Sequence, residues 1–204
     1  MLTVTIILLV FTTIISVKGF NSEDFLLRNT FFPYAVKNRK EYKRIFSHLF
    51  IHQNWAHLIF NMLTLFFVGS IMEKTLIHTY GFVMGKFHFL VLYFVGGIAA
   101  VVWPYMRNKN NRDYQSLGAS GAISALLFSF VLWYPDEKIY IFFSIPIKAY
   151  LFGPLYLIFE YYSFRRNKGN VAHDAHIGGA AFGVIYTLLI HFESGRSFIE
   201  SFMP

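Results

Sequence analysis

Apolar residues in this chain fall in six blocks, roughly Leu2–Val17, Trp55–Met72, Phe87–Met106, Gly118–Tyr134, Ala149–Tyr162 and Ala172–His191. Several are shorter than the ~20 residues that cross a bilayer perpendicularly. Short or glycine-interrupted spans are tolerated inside a bundle or along an aqueous cavity. The pattern predicts an all-α polytopic membrane protein, six transmembrane helices in one compact bundle, with residues 1–204 as a single membrane domain. No Lys or Arg precedes Lys18 and Ser16-Val17-Lys18 is a poor cleavage site, so the first block reads as a retained span rather than a signal peptide.

The longest connection, Lys18 to about Asn54, mixes Phe20, Phe25, Phe31, Phe32 and Tyr34 with Lys37, Arg39, Lys40, Lys43 and Arg44. That mixture suits a loop in the membrane interface, with rings at headgroup depth and charges in water, or a solvated basic loop. The other connections are short. Small residues mark close helix approaches: Gly118, Gly121 and Ala125 on the fourth span, and Gly179 and Gly183 with Ala172, Ala175 and Ala180 on the sixth. These two spans are expected to touch.

Composition agrees with this reading. Of the residues, 55% are hydrophobic and only 14% charged, against about 25% charged in soluble domains. Mean hydropathy is +0.46. The absence of cysteine excludes disulfides, thiol nucleophiles and thiolate metal sites. The net charge of +7 suits anionic lipid headgroups rather than nucleic acid, because the basic residues lie in short loops.

A serine and a histidine inside apolar sequence are costly without a purpose. Ser120, flanked by Gly118 and Gly121, opens the fourth span, where free helix-start amides can face a developing anion. A serine needs a base within hydrogen-bond reach. His176 is the candidate, able to take the serine proton and return it to a leaving amine; His173 is the alternative. Asp174 points away from the His176 face, so the residues support a Ser-His dyad rather than an Asp-oriented triad. On the second span, His57 and Asn61 share one helical face and can donate to an oxyanion, each such donor worth about 3–4 kcal/mol in the transition state. His48 and His52 also stand four apart. Without a His-Glu-x-x-His motif, or an acid on the His176 face of the sixth span, no metal or other cofactor is expected.

Three motifs then coincide. Gly118-Ala119-Ser120-Gly121, Ala175-His176 followed by Gly179 and Gly183, and the run from His48 through His52 and His57 to Asn61 resemble those of the rhomboid intramembrane serine proteases. The resemblance implies Ser120 as nucleophile and His176 as base. It implies that His57, Asn61 and the Ser120 amide stabilise the oxyanion, with His52, Gly118 and Gly121 in support. It further implies single-pass transmembrane proteins as substrates, membrane lipids as surroundings, and hydrolysis through an acyl-enzyme without a cofactor. The bacterial six-span type implies an inner (plasma) membrane, with the site opening to the extracytoplasmic side.

Two departures stand out. Lys43 replaces a tryptophan common before Arg44, and Ser124 replaces a tyrosine that commonly supports the histidine; the second is expected to alter rate rather than abolish activity. Loop charge also opposes the family orientation. Only Lys74, Lys86, Lys138, Lys148 and Arg196 fall on the side that would be cytoplasmic, the other 13 of the 18 basic residues lying opposite. A non-catalytic rhomboid-like binding or quality-control factor is the alternative function, and a small channel or transporter a more distant one.

Overall fold

The apolar blocks become helices in a computed structural model describing residues 3–141, 144–166 and 172–203. Leu2, expected to open the first span, and residues 167–171 of the loop before the sixth lie outside the described residues. Helix α1 (Val4–Phe20) is capped by Thr3, whose hydroxyl accepts the Ile6 N–H. The amides of Val4 and Thr5 donate to the Glu73 carboxyl group, both at 2.8 Å, and the Thr5 hydroxyl donates to it at 2.7 Å. An acidic group suits a helix start, and three donors offset its burial.

The expected loop from Lys18 to Asn54 is largely helical. It forms α2 (Glu23–Asn29), α3 (Pro33–Arg39), α4 (Arg44–Ser47) and a 3-10 turn at His48–Phe50. The buried Arg44 guanidinium gathers it, donating to Glu41 and to the carbonyls of Leu27 (2.6 Å) and Thr30 (2.8 Å). Lys43 beside it is exposed.

Helical backbone then runs from Trp55 to Asn108 through α5 (Trp55–Thr64), α6 (Ser70–Leu90), α7 (Gly96–Ala100) and α8 (Val102–Asn108), with π-helical turns at Leu65–Gly69 and Val91–Val95. A straight helix of these 54 residues would reach about 80 Å. The chain instead reverses inside α6 at Gly81, whose φ of 78° and ψ of 168° favour glycine. A Cβ on Gly85 would collide with the backbone of Leu76 and Ile77, so the two legs lie against each other.

Helix α9 (Ser120–Trp133) is the axis of the bundle, buried continuously from Gly121 to Leu132. Where a loop was expected, β1 (Lys138–Ile141) and β2 (Ile145–Lys148) form an antiparallel hairpin with Ile139 opposite Ile147. Helix α10 (Ala149–Arg165), α11 (His173–Ile190) and α12 (Phe192–Glu200) complete the chain. The expected approach of the fourth and sixth spans is present, backbone to backbone: a Cβ on Gly179 would collide with the Gly121 carbonyl, and one on Gly183 with the Ala125 carbonyl.

The fold is thus mostly helical, and large apolar side chains such as Ile14, Phe67, Val83, Ile158 and Leu189 face outward, as on a lipid-facing surface. By length and hydropathy, the 55–108 stretch qualifies as membrane-spanning. His173–Ile190 with Phe192–Glu200 qualifies only if that pair, bent by 112°, is taken as one span. Helices α1 and α9 are apolar but have only 17 and 14 residues. Among the described residues, the expected six crossings are therefore not reached on this criterion. Part of the reason is the reversal at Gly81, which hides two legs in one stretch.

Substituting Gly179 by Ala should cost about 1–3 kcal/mol through overpacking against the Gly121 carbonyl. Thermal unfolding in detergent reads this as a lowered Tm; an unchanged Tm would show that the contact is not tight.

Candidate active site

The site begins with a segment held rigidly ahead of α9. Ser116 pairs with Phe31 through two backbone hydrogen bonds (2.9 and 3.0 Å), and the Gly118 N–H donates to the His48 carbonyl at 2.9 Å. Gly118 has φ +118°, and a Cβ there would lie 2.7 Å from the His57 ring, so both conformation and space demand glycine. The next amide, Ala119 N–H, donates to His52 Nε2 at 3.3 Å. This fixes the tautomer: His52 Nδ1–H faces the Ser16 hydroxyl at 2.9 Å, which in turn donates to the Phe50 carbonyl at 3.0 Å. Burial, reinforced by His57 nearby, pushes the His52 imidazole down to about 3, and burial pushes His48 down to about 4.

Ser120 is the first residue of α9, where amides have no intrahelical acceptor. Its Oγ lies 2.8 Å from His176 Nε2. Both side chains are half-buried. On the other edge of the His176 ring, Nδ1 is 3.1 Å from Glu160 Oε1, and the second carboxylate oxygen is 2.6 Å from His173 Nδ1. Each Nδ1–H then donates to the carboxylate, leaving His176 Nε2 free to accept from Ser120.

Glu160 is the residue that the sequence reading missed. The search for an orienting acid stayed on the sixth span, where Asp174 instead accepts from Tyr114 and its own Ala175 amide. The signal was available: Glu160 is the one charged residue of the Ala149–Tyr162 block. His173, weighed as an alternative base, reaches Glu160 rather than the serine.

The remaining expected residues surround the pair. The rings of His57 and His52 meet edge to face at 4.9 Å. Asn61 is buried, and its amide donates to the His57 carbonyl one turn back rather than to Ser120. Ser124 lies 3.3 Å from the Tyr156 hydroxyl of α10. The donor atoms of Glu160, His173 and His176 lie within 4.8 Å of one another, a set that could hold a metal ion. Hydrogen bonds among the three already account for that spacing.

A family model described as the Rhomboid domain matches residues 39–193. The chain belongs to the rhomboid family. RHOMBOID-like protein 12, mitochondrial, of Arabidopsis thaliana is 24% identical over 181 residues, covering 80% of this chain and 51% of the relative. Rhomboid protein 1, mitochondrial, of Saccharomyces cerevisiae is 30% identical over 146 residues (70% and 40%). Rhomboid protease AarA of Providencia stuartii is 26% identical over 156 residues (69% and 53%). This rhomboid chain spans about half the length of these relatives or less. The expected bacterial plasma membrane, with its extracytoplasmic opening, is corrected here, because two of the three relatives carry mitochondrial names. The motifs identify the family and say nothing of which bilayer holds it.

His48 and His52 give a pH test. Unfolded histidines take up protons near pH 6.5, whereas these two stay neutral to about pH 4 and 3 in the fold. The unfolded state therefore binds more protons below pH 6.5, and stability should fall as pH drops through that window, by up to about 1.4 kcal/mol per pH unit for each. Unfolding in detergent from pH 7.5 to 5 measures the slope, which should lessen in His52→Gln; an identical slope would contradict the assignment.

Proposed function

We propose that the chain is an intramembrane serine endopeptidase of a mitochondrial membrane, cutting transmembrane segments of other membrane proteins. The observation that carries this is the 2.8 Å contact between Ser120 Oγ and His176 Nε2, with the nucleophile at a helix start. Protease-named relatives such as AarA support the reaction class, and the mitochondrial names of others support the compartment. Six crossings are proposed with it: α1, the two legs that meet at Gly81, α9, α10 and α11.

In this reading Ser120 Oγ attacks the scissile carbonyl while His176 Nε2 takes its proton. The Ser120 amide, His57 and the unused N–H of the Asn61 side chain face the developing oxyanion. His176 then protonates the leaving amine, and water returns the acyl-enzyme to free serine by the same path. Helical substrates hide their carbonyls, so segments weakened by Gly or Pro should be cut first.

The test is cleavage of a single-span substrate in liposomes. Ser120→Ala and His176→Ala should lower cleavage by ~10³-fold or more, and His57→Ala should lower kcat by ~10²-fold with little change in KM. Equal cleavage by Ser120→Ala would reject the proposal. Capture of the substrate helix without cleavage by wild type would favour a holding function.

A further inference from the structure

Glu160 is an acidic residue in the C-terminal half of the apolar helix α10, which is costly unless it has partners and a use. Its carboxyl group is buried, and both oxygens are engaged by α11, one with His176 Nδ1 at 3.1 Å and one with His173 Nδ1 at 2.6 Å. We propose that Glu160 is the positioning residue of the Ser120–His176 pair, completing a Ser-His-Glu relay in which His173 anchors the carboxylate's second oxygen. The proposal rests on the protease reading above.

Three consequences of the geometry support it. A carboxylate at Nδ1 holds the proton there, so the bare Nε2 faces Ser120 without waiting for a tautomer change. It fixes the plane of the imidazole, since rotation about the ring's attachment would break the 3.1 Å bond. It also places negative charge beside the imidazolium that forms when Ser120 gives up its proton, in surroundings where such pairing is strong. Ser124 stands one turn beyond Ser120, and its small hydroxyl is turned to Tyr156 of α10 rather than offering a ring to His176. Hydrogen bonding therefore does the orienting. The His173 bond explains how one carboxylate can do so with little freedom: held at both oxygens by residues three apart on α11, it cannot swing away from His176.

The three donors could also receive a divalent cation, and the experiment separates the two uses. The full chain in detergent is treated with a fluorophosphonate probe that labels an activated serine, beside kcat and KM on a single-span substrate. Glu160→Gln keeps shape but not charge. It should slow Ser120 labelling and kcat by ~10²–10⁴-fold, the range for losing an orienting carboxylate, with KM and Tm unchanged. Glu160→Asp should recover part of that loss, and His173→Ala should slow labelling by about 10-fold. Labelling of Glu160→Gln at the wild-type rate would overturn the proposal. Should that variant fail to unfold cooperatively, His173→Ala decides, and wild-type labelling there overturns it equally. Loss of wild-type activity on adding EDTA, restored by zinc, would reassign the three donors to a metal and also overturn it. If wild type is not labelled at Ser120 while Ser120→Ala cleaves, the protease reading itself falls, and the proposal with it.

Discussion

The backbone contact between α9 and α11 is what the rest of the site depends on. Gly179 lies on the Gly121 carbonyl and Gly183 on that of Ala125, with Gly178 against Ala100. In a bilayer no hydrophobic force drives helices together, so van der Waals contact through small residues must do it. The spacing sets a distance that only glycine permits. Three residues before Gly179 on one helix, and one before Gly121 on the other, stand His176 and Ser120, which meet at 2.8 Å. A bulkier seam would separate the helices, and Ser120 Oγ from His176 Nε2 with them.

Around that seam, charged groups are buried only where several partners meet them. Glu73 takes three donors at the start of α1. Arg44 reaches a carboxylate and two carbonyls, and ties the end of α2 to α4 and the turn before it. Glu160 divides its oxygens between two histidines. Each exacts desolvation that several hydrogen bonds offset. Glu73 and Arg44 hold mainly backbone, whereas Glu160 holds two imidazoles.

Much of this was legible in the sequence. The glycine spacing on the fourth and sixth blocks foretold their contact, and Gly118-Ala119-Ser120-Gly121 with Ala175-His176 pointed to the family. Local patterns failed where partners are remote. Glu160 lies 16 residues before His176 on a different helix, and no helical spacing connects them. The link between α2 and α4 escaped because Arg44 makes it through carbonyls 14 and 17 residues away. The Trp55–Met72 and Phe87–Met106 blocks fall on the two legs either side of the reversal at Gly81. The compartment was misread because nothing in the motifs carries it.

The family match begins at residue 39, yet α1, which precedes it, reaches the backbone beside Ser120 through hydrogen bonds. Ser16 fixes the proton on His52, and His52 accepts the amide of Ala119, the residue before Ser120. At its other end α1 is pinned to Glu73. A helix tied at both ends cannot tilt freely to match the hydrocarbon thickness around it. Lipids too thick or too thin for its 17 residues would therefore load the Ser16–His52 link, and through it the backbone at Ala119.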